Sequence, residues 1–321
     1  MIVRWGIGEL DGLLAELGVE RPFVFAGPRF PELPLHAYGR WRELPSDAIS
    51  EIAAAATGAD VLVALGGGST IDTAKAVSAE TSLPLVSIPT TYSGAEWTGF
   101  YGVRDSDRRM RGGGAGARLA GIVYEPELTL KLPTAETVGT ALNALAHCAE
   151  ALYVDERNDA ADRHALAGAR LISTWLPRVV AWEGDRLEAR TELLRGACEA
   201  GAALAGSMLG LGHALAQALG GRYGVSHGAL NALCLPPALR FNAEVAPDAV
   251  ARLGEAIGAD DPAARVEELA RLGGFERLRD LGVPESELDE VAEAVIVRAG
   301  ARSNPREATA AEVGELLRSI W

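Results

Sequence analysis

Apolar positions in the first 133 residues fall into short runs separated by glycine, proline and charge. Ile2 to Gly8, Pro22 to Ala26, Val61 to Leu65, Leu83 to Ile88 and Ile122 to Tyr124 suit strands and are too short for helices. Between them, Glu9 to Leu17 has amphipathic helical spacing and stops at Gly18. Ser46 is placed to cap a second helix that runs to Thr57, with Gly58 beyond its end. Strands alternating with helices predict a parallel sheet with helical cover. Residues 29 to 45 contain Pro31, Pro34 and Pro45 and leave no room for a full crossover helix. Arg104 to Ala120, polar and glycine-rich, reads as a β-ribbon or mobile loop.

The pattern changes after Leu132-Pro133. Nine of the sixteen prolines lie in residues 1–133, and the rest of the chain is rich in Ala and Leu at helical spacing. Helices are expected over 135–153, 159–182, 187–206, 210–219, 228–242, 246–257, 262–272, 275–281, 285–298 and 310–321. The last opens on a capping box, Thr309 with Glu312 three residues on. The expected organisation is α/β plus all-α: a parallel-sheet domain over 1–133 and a helical domain over 134–321.

The densest signal lies where the run Val61 to Leu65 meets Gly66, Gly67 and Gly68, with Ser69 at the expected helix N-cap. Glycines allow close backbone approach, and the free N–H groups of a helix start favour an anion, so a phosphate would fit. The same glycines would also serve a merely tight strand-to-helix turn. A second run ends at Pro89 and leads into Thr90, Thr91, Tyr92 and Ser93, hydroxyls suited to phosphate or ribose. Ligands of open parallel sheets bind at such strand ends. The pattern is neither the six-residue glycine fingerprint nor a P-loop.

In the helical part, chemistry must come from the polar exceptions. Asn143 and His147 are four apart, as are His213 and Gln217, and His227 stands shortly after them. From spacing alone these are either satisfied core residues or one shared site. His36 and His164 have no such company.

Composition narrows the classes. In 321 residues, 30 basic against 44 acidic side chains give a net charge of −14, which argues against a nucleic-acid partner. Cys148, Cys198 and Cys234 lack the paired spacing of a disulfide framework or zinc knuckle. No apolar run reaches the roughly 18 residues of a membrane span, and the start has no signal-peptide pattern. A cytoplasmic protein is expected.

GGGSTIDTAK followed by PTTYSGAE resembles the group III, iron-containing, alcohol dehydrogenases, and IPTTYSGAEWTGFYGV resembles their maleylacetate reductase branch. LNALAHCAEALY is similar to the helix bearing the family's first two metal ligands, an Asp and a His. GHALAQALGGRYGVSHGALNALCLPPALRFN is similar to the segment bearing the other two, both His. NPREATAAEVGELLRSIW is close to the reductases' C-terminal segment.

The resemblance implies a dehydroquinate synthase-like fold, with a Rossmann-like domain followed by a helical one, and a homodimer. It implies hydride transfer from NADH or NADPH to a small unsaturated or oxo acid, with maleylacetate to 3-oxoadipate foremost. Gly66, Gly67, Gly68, Ser69, Asp72, Thr90, Thr91 and Ser93 would hold the cofactor, with Arg109 at a usual Lys near the nicotinamide. His147, His213 and His227 would bind the anionic substrate and supply the proton, with Arg109 and Arg222 as carboxylate clamps. Asn143 stands where metal-dependent members have Asp, and maleylacetate reductases also carry Asn there and as a group need no metal. A neutral amide is a poorer ligand than a carboxylate, so a metal is expected to be absent, although three imidazoles can still hold zinc. Gln217 replaces a usual His and cannot titrate. Two alternatives stand beside this reading: a metal-dependent alcohol or polyol dehydrogenase, and a dinucleotide-binding protein that has lost catalysis.

Overall fold

Six strands pair side by side in one parallel sheet in the order β1-β8-β5-β4-β2-β3. They are β1 (Ile2–Trp5), β2 (Pro22–Ala26), β3 (Gly39–Trp41), β4 (Val61–Gly66), β5 (Pro84–Pro89) and β8 (Arg118–Tyr124). β6 (Tyr101–Arg104) and β7 (Met110–Gly114) form a separate antiparallel ribbon. The computed structural model describes every residue but Pro31, and it divides into two compact units, Met1–Lys131 and Leu132–Trp321.

The central strand β4 shows why its sequence is apolar throughout. Val61, Val63 and Leu65 pack with Leu10, Leu13 and Leu14 of α1 (Leu10–Leu17) on one face. Leu62 and Ala64 pack on the other face with Ile52 of α2 (Ile49–Ala55) and with Ile71, Ala74 and Val77 of α3 (Gly68–Thr81). A strand covered on both faces has no position for a polar side chain.

Three local expectations are corrected. The first strand ends at Trp5 because Gly6, at φ 96°, turns the chain into a short 3₁₀ turn. Ser46 does not cap α2; its Oγ accepts from the Ala48 amide at 3.3 Å, and the helix begins at Ile49. The proline-interrupted segment holds an unexpected edge strand, β3, of which only three residues pair with β2.

The second unit contains only helices: α4 (Thr134–Ala151), α5 (Asp159–Ala181), α6 (Arg186–Ala205), α7 (Leu211–Tyr223), α8 (His227–Ala243), α9 (Pro247–Ile257), α10 (Pro262–Arg271), α11 (Leu288–Ile296), α12 (Ala299–Arg302) and α13 (Ala310–Ser319). The capping box at Thr309 and Glu312 is formed. The helix expected over 275–281 is one 3₁₀ turn, Leu278–Leu281, because Gly274 and Gly282 at positive φ bracket the segment. No helix is long and apolar enough to cross a membrane among the described residues.

Candidate active site

In the first unit, β4 and β5 end in register, with Gly66 opposite Pro89, and the Thr90 amide donates to the Gly66 carbonyl at 3.0 Å. α3 starts at Gly68 with Gly67 as its N-cap, so Ser69 lies inside the first turn and not at the cap. No side chain caps this end. Free amides and the positive end of a 14-residue helix therefore face the turn, as an anion site requires.

The glycines are needed for space. A Cβ on Gly67 would stand 2.9 Å from Thr91 Cγ2, and one on Gly68 would stand 3.0 Å from Ser93 Oγ. Thr91 Oγ1 donates to Ser93 Oγ at 3.4 Å, and the buried Thr90 Oγ1 has no protein partner. A buried hydroxyl without a partner is costly unless a ligand or water meets it. Uncapped helix amides, small residues and hydroxyls are the donor types a pyrophosphate needs.

Asp72 is otherwise engaged: it pairs with Lys75 Nζ at 2.8 Å and accepts from the Gly102 amide at 3.2 Å. Lys75, fully buried, also donates to the Ala95 and Phe100 carbonyls. This pair ties α3 to the loop before the ribbon. Arg109 is exposed in the ribbon turn, its amide donating to Asp105 Oδ1. Glu96, which sequence reasoning missed, is fully buried. Its Oε1 accepts from Tyr124 Oη at 2.8 Å, and its Oε2 has no partner. Burial pushes its carboxyl above the ordinary glutamate range.

In the second unit, α4 and α8 pack close because two glycines face each other. A Cβ on Gly228 would lie 2.6 Å from the carbonyl carbon of Gly139. One turn further along both helices, Asn231 Nδ2 reaches Asn143 Oδ1 at 2.7 Å. That same Asn143 oxygen lies 3.2 Å from His213 Nε2 on α7. The His147 and His213 rings stack at 4.7 Å between centroids and 12° between planes, and His227 tilts beside His213 at 5.6 Å. Asn143, His147, His213 and His227 thus converge, and Gln217 lies half-buried one turn after His213 on α7.

The electrostatics separate these rings. Burial, and then the neighbouring His213 and His227, hold His147 well below the usual histidine range, so it stays neutral. His213 has a buried carboxylate against it instead: Glu150 Oε2 lies 2.6 Å from its Nδ1. Arg222 is not part of the group. Its guanidinium donates to Glu287 and Glu290, so the expected carboxylate clamp is occupied by the chain's own acids. Sequence reasoning missed Glu150 and Asn231, though the spacing rule reaches both. Glu150 falls three residues after His147, and Asn231 four after His227. Burial pushes the Cys148 and Cys234 thiols up, which makes them inert packing groups.

The family model described as "Fe-containing alcohol dehydrogenase family, C-terminal" matches residues 137–321, and "Iron-containing alcohol dehydrogenase" matches residues 35–120. The chain belongs to the iron-containing alcohol dehydrogenase family. It is similar to the maleylacetate reductase of Burkholderia cepacia, at 36% identity over 97% of this chain and 93% of that one. It is similar also to the maleylacetate reductase of Pseudomonas sp. (strain P51), at 34% over 99% and 95%. Among solved structures, the maleylacetate reductase of Rhizobium sp. strain MTP-10005 superposes with a TM-score of 0.88, at 29% identity over 100% of this chain and 95% of that one. The chain is an NAD(P)-dependent oxidoreductase of this family.

The family name raises the question of iron. The donors gathered here, three imidazoles and one amide, are a weaker set for a divalent cation than one that includes a carboxylate. The fourth position is a neutral amide, Asn143, already bonded to Asn231. Among the described residues, no three His, Cys, Asp or Glu side chains are placed to hold an ion.

Proposed function

We propose that this protein reduces maleylacetate to 3-oxoadipate with NADH or NADPH, without a metal, as a cytoplasmic homodimer. The observation that carries this reading is Asn143. Where a metal-dependent relative needs a charged ligand, this chain places an amide whose oxygen is turned to His213 and held there by Asn231. Full-length similarity to maleylacetate reductases supports the same substrate.

Gly66, Gly67, Gly68 and Ser69 would hold the dinucleotide's pyrophosphate, with Thr90, Thr91 and Ser93 completing the cradle. When bound, the reduced nicotinamide supplies a hydride to one carbon of the conjugated alkene. The other alkene carbon must then receive a proton. His213 Nε2, 3.2 Å from the Asn143 oxygen, would be its source, with His227, the less buried neighbour, as the alternative. Arg109, on the ribbon, remains the candidate cationic contact for a substrate carboxylate. Neutral His147 contributes a packing surface and a hydrogen-bonding ring, not a charge.

The test is a panel that measures consumption of NADH and NADPH with maleylacetate, other oxo acids and simple aldehydes. Consumption confined to unsaturated or oxo acids supports the proposal. Consumption with aldehydes that requires added Fe²⁺ or Zn²⁺ would replace it with a metal-dependent alcohol dehydrogenase.

A further inference from the structure

Glu150 lies in the segment LNALAHCAEALY, three residues after His147, has no exposed surface, and stands at the junction of α4 and α7. Three nitrogens reach it. The Gly210 amide meets Oε2 at 2.7 Å, the His213 amide meets Oε1 at 2.9 Å, and His213 Nδ1 meets Oε2 at 2.6 Å. Two of these are main-chain groups that can only donate, so both carboxyl oxygens are already committed as acceptors. The donor's part in the third contact therefore falls to Nδ1.

The other side of the ring is fixed by a similar chain of necessity. The His227 carbonyl can only accept, and Asn231 Nδ2 lies 3.2 Å from it. That orients the Asn231 amide, whose same nitrogen then donates to Asn143 Oδ1. Asn143 is left presenting its oxygen to His213 Nε2 at 3.2 Å. A half-turn of the imidazole would put carbon atoms against both acceptors and is disfavoured at each end.

We infer that Glu150 is the positioning residue of this site. It holds hydrogen on His213 Nδ1 and fixes the ring so that Nε2 is the nitrogen available for proton transfer, with Asn231 locking the opposite partner. The inference rests on the reading of His213 as proton donor. Glu150 also caps the first turn of α7, so a purely structural role is the rival explanation.

Two experiments separate these roles. Long-range ¹H–¹⁵N spectra of the intact wild-type protein read which ring nitrogens of His213 carry hydrogen, whatever reaction the enzyme performs. The expected result is hydrogen on Nδ1, and a bare Nδ1 would overturn the inference even if the enzyme reduces maleylacetate. The second experiment compares Glu150→Gln, His213→Gln and the double variant. Supporting partners of this kind typically contribute about 10–100-fold to activity, and that loss is expected in kcat with KM little changed. In the double variant Glu150→Gln should add almost nothing to the loss from His213→Gln, because it acts through that ring. Losses that multiply, or a folded Glu150→Gln with parental kcat, would show that Glu150 only caps α7. Should Glu150→Gln fail to fold, the wild-type spectrum alone decides.

Discussion

The glycine turn of the first unit and the histidine group of the second are built in opposite ways. The turn is made from backbone: amides at the start of α3, absent side chains at Gly67 and Gly68, and three hydroxyls from the adjacent strand end. All of it lies within residues 66–93. The histidine group is made from side chains on α4, α7 and α8, and residues 143 and 231 meet only after folding. Their buried acids differ as well. Glu96 receives one hydroxyl and leaves an oxygen without a partner, whereas Glu150 accepts from two main-chain N–H groups and lies 2.6 Å from His213 Nδ1. A site that works by excluding side chains tolerates no additions, and a site that works by a chain of donors tolerates no deletions.

The largest effect should therefore come from deleting a link: His213→Gln is expected to lower turnover by about 10²–10⁴-fold while the protein stays folded. Circular dichroism with steady-state kinetics checks it. Near-parental turnover in both His213→Gln and His227→Gln would make these rings packing residues.

An addition should break the other region. Gly67→Val would set its Cβ 2.9 Å from Thr91 Cγ2, closer than packed atoms come, and should weaken NADH or NADPH binding at least about tenfold, roughly 1.4 kcal/mol. His213→Gln should bind the cofactor like the parent. Titration of cofactor fluorescence reads both, and loss of binding in the histidine variant instead would collapse the distinction between the regions.

These two regions are not equally legible in the sequence. The turn can be read because its parts are neighbours along the chain, although the true cap, Gly67, lies two residues before the expected Ser69. In the helical unit, Asn143, His147, His213 and His227 are recognisable as polar exceptions in apolar helices. Glu150 passes as one more charge, because sequence does not say which carboxylate is buried. Arg222 reads as a clamp for the converse reason: nothing local foretells that Glu287 and Glu290, some 65 residues on, will claim it. Strand β3 escapes notice because three residues carry too little periodicity to register.

A smaller effect is expected at Gln217. An amide there donates and accepts hydrogen bonds but does not titrate, so in the proposed reaction proton delivery would rest with His213 or His227. Gln217→His should therefore remain active at a rate on the order of the parent's. A variant that both rescues His213→Gln and outpaces the parent would move the proton donor to position 217.

The smallest effect separates the buried acids. Burial raises the Glu96 carboxyl, so the folded protein keeps this proton above about pH 4.3, where an unfolded glutamate loses it. Its stabilising contribution is complete below that pH and is lost as pH rises through the raised folded value. The melting temperature of the parent relative to Glu96→Gln should accordingly fall as pH rises above about 4.3. Parallel curves for the two proteins would mean that Glu96 is not held protonated.

Reduction at the histidine group without a metal is the central claim. The direct measurement is the rate of NADH or NADPH oxidation with maleylacetate after exhaustive dialysis against a chelator, with metal content determined on the same sample. The predicted result is an unchanged rate at well under one metal ion per chain. A rate abolished by dialysis and restored by Fe²⁺ or Zn²⁺ would contradict it.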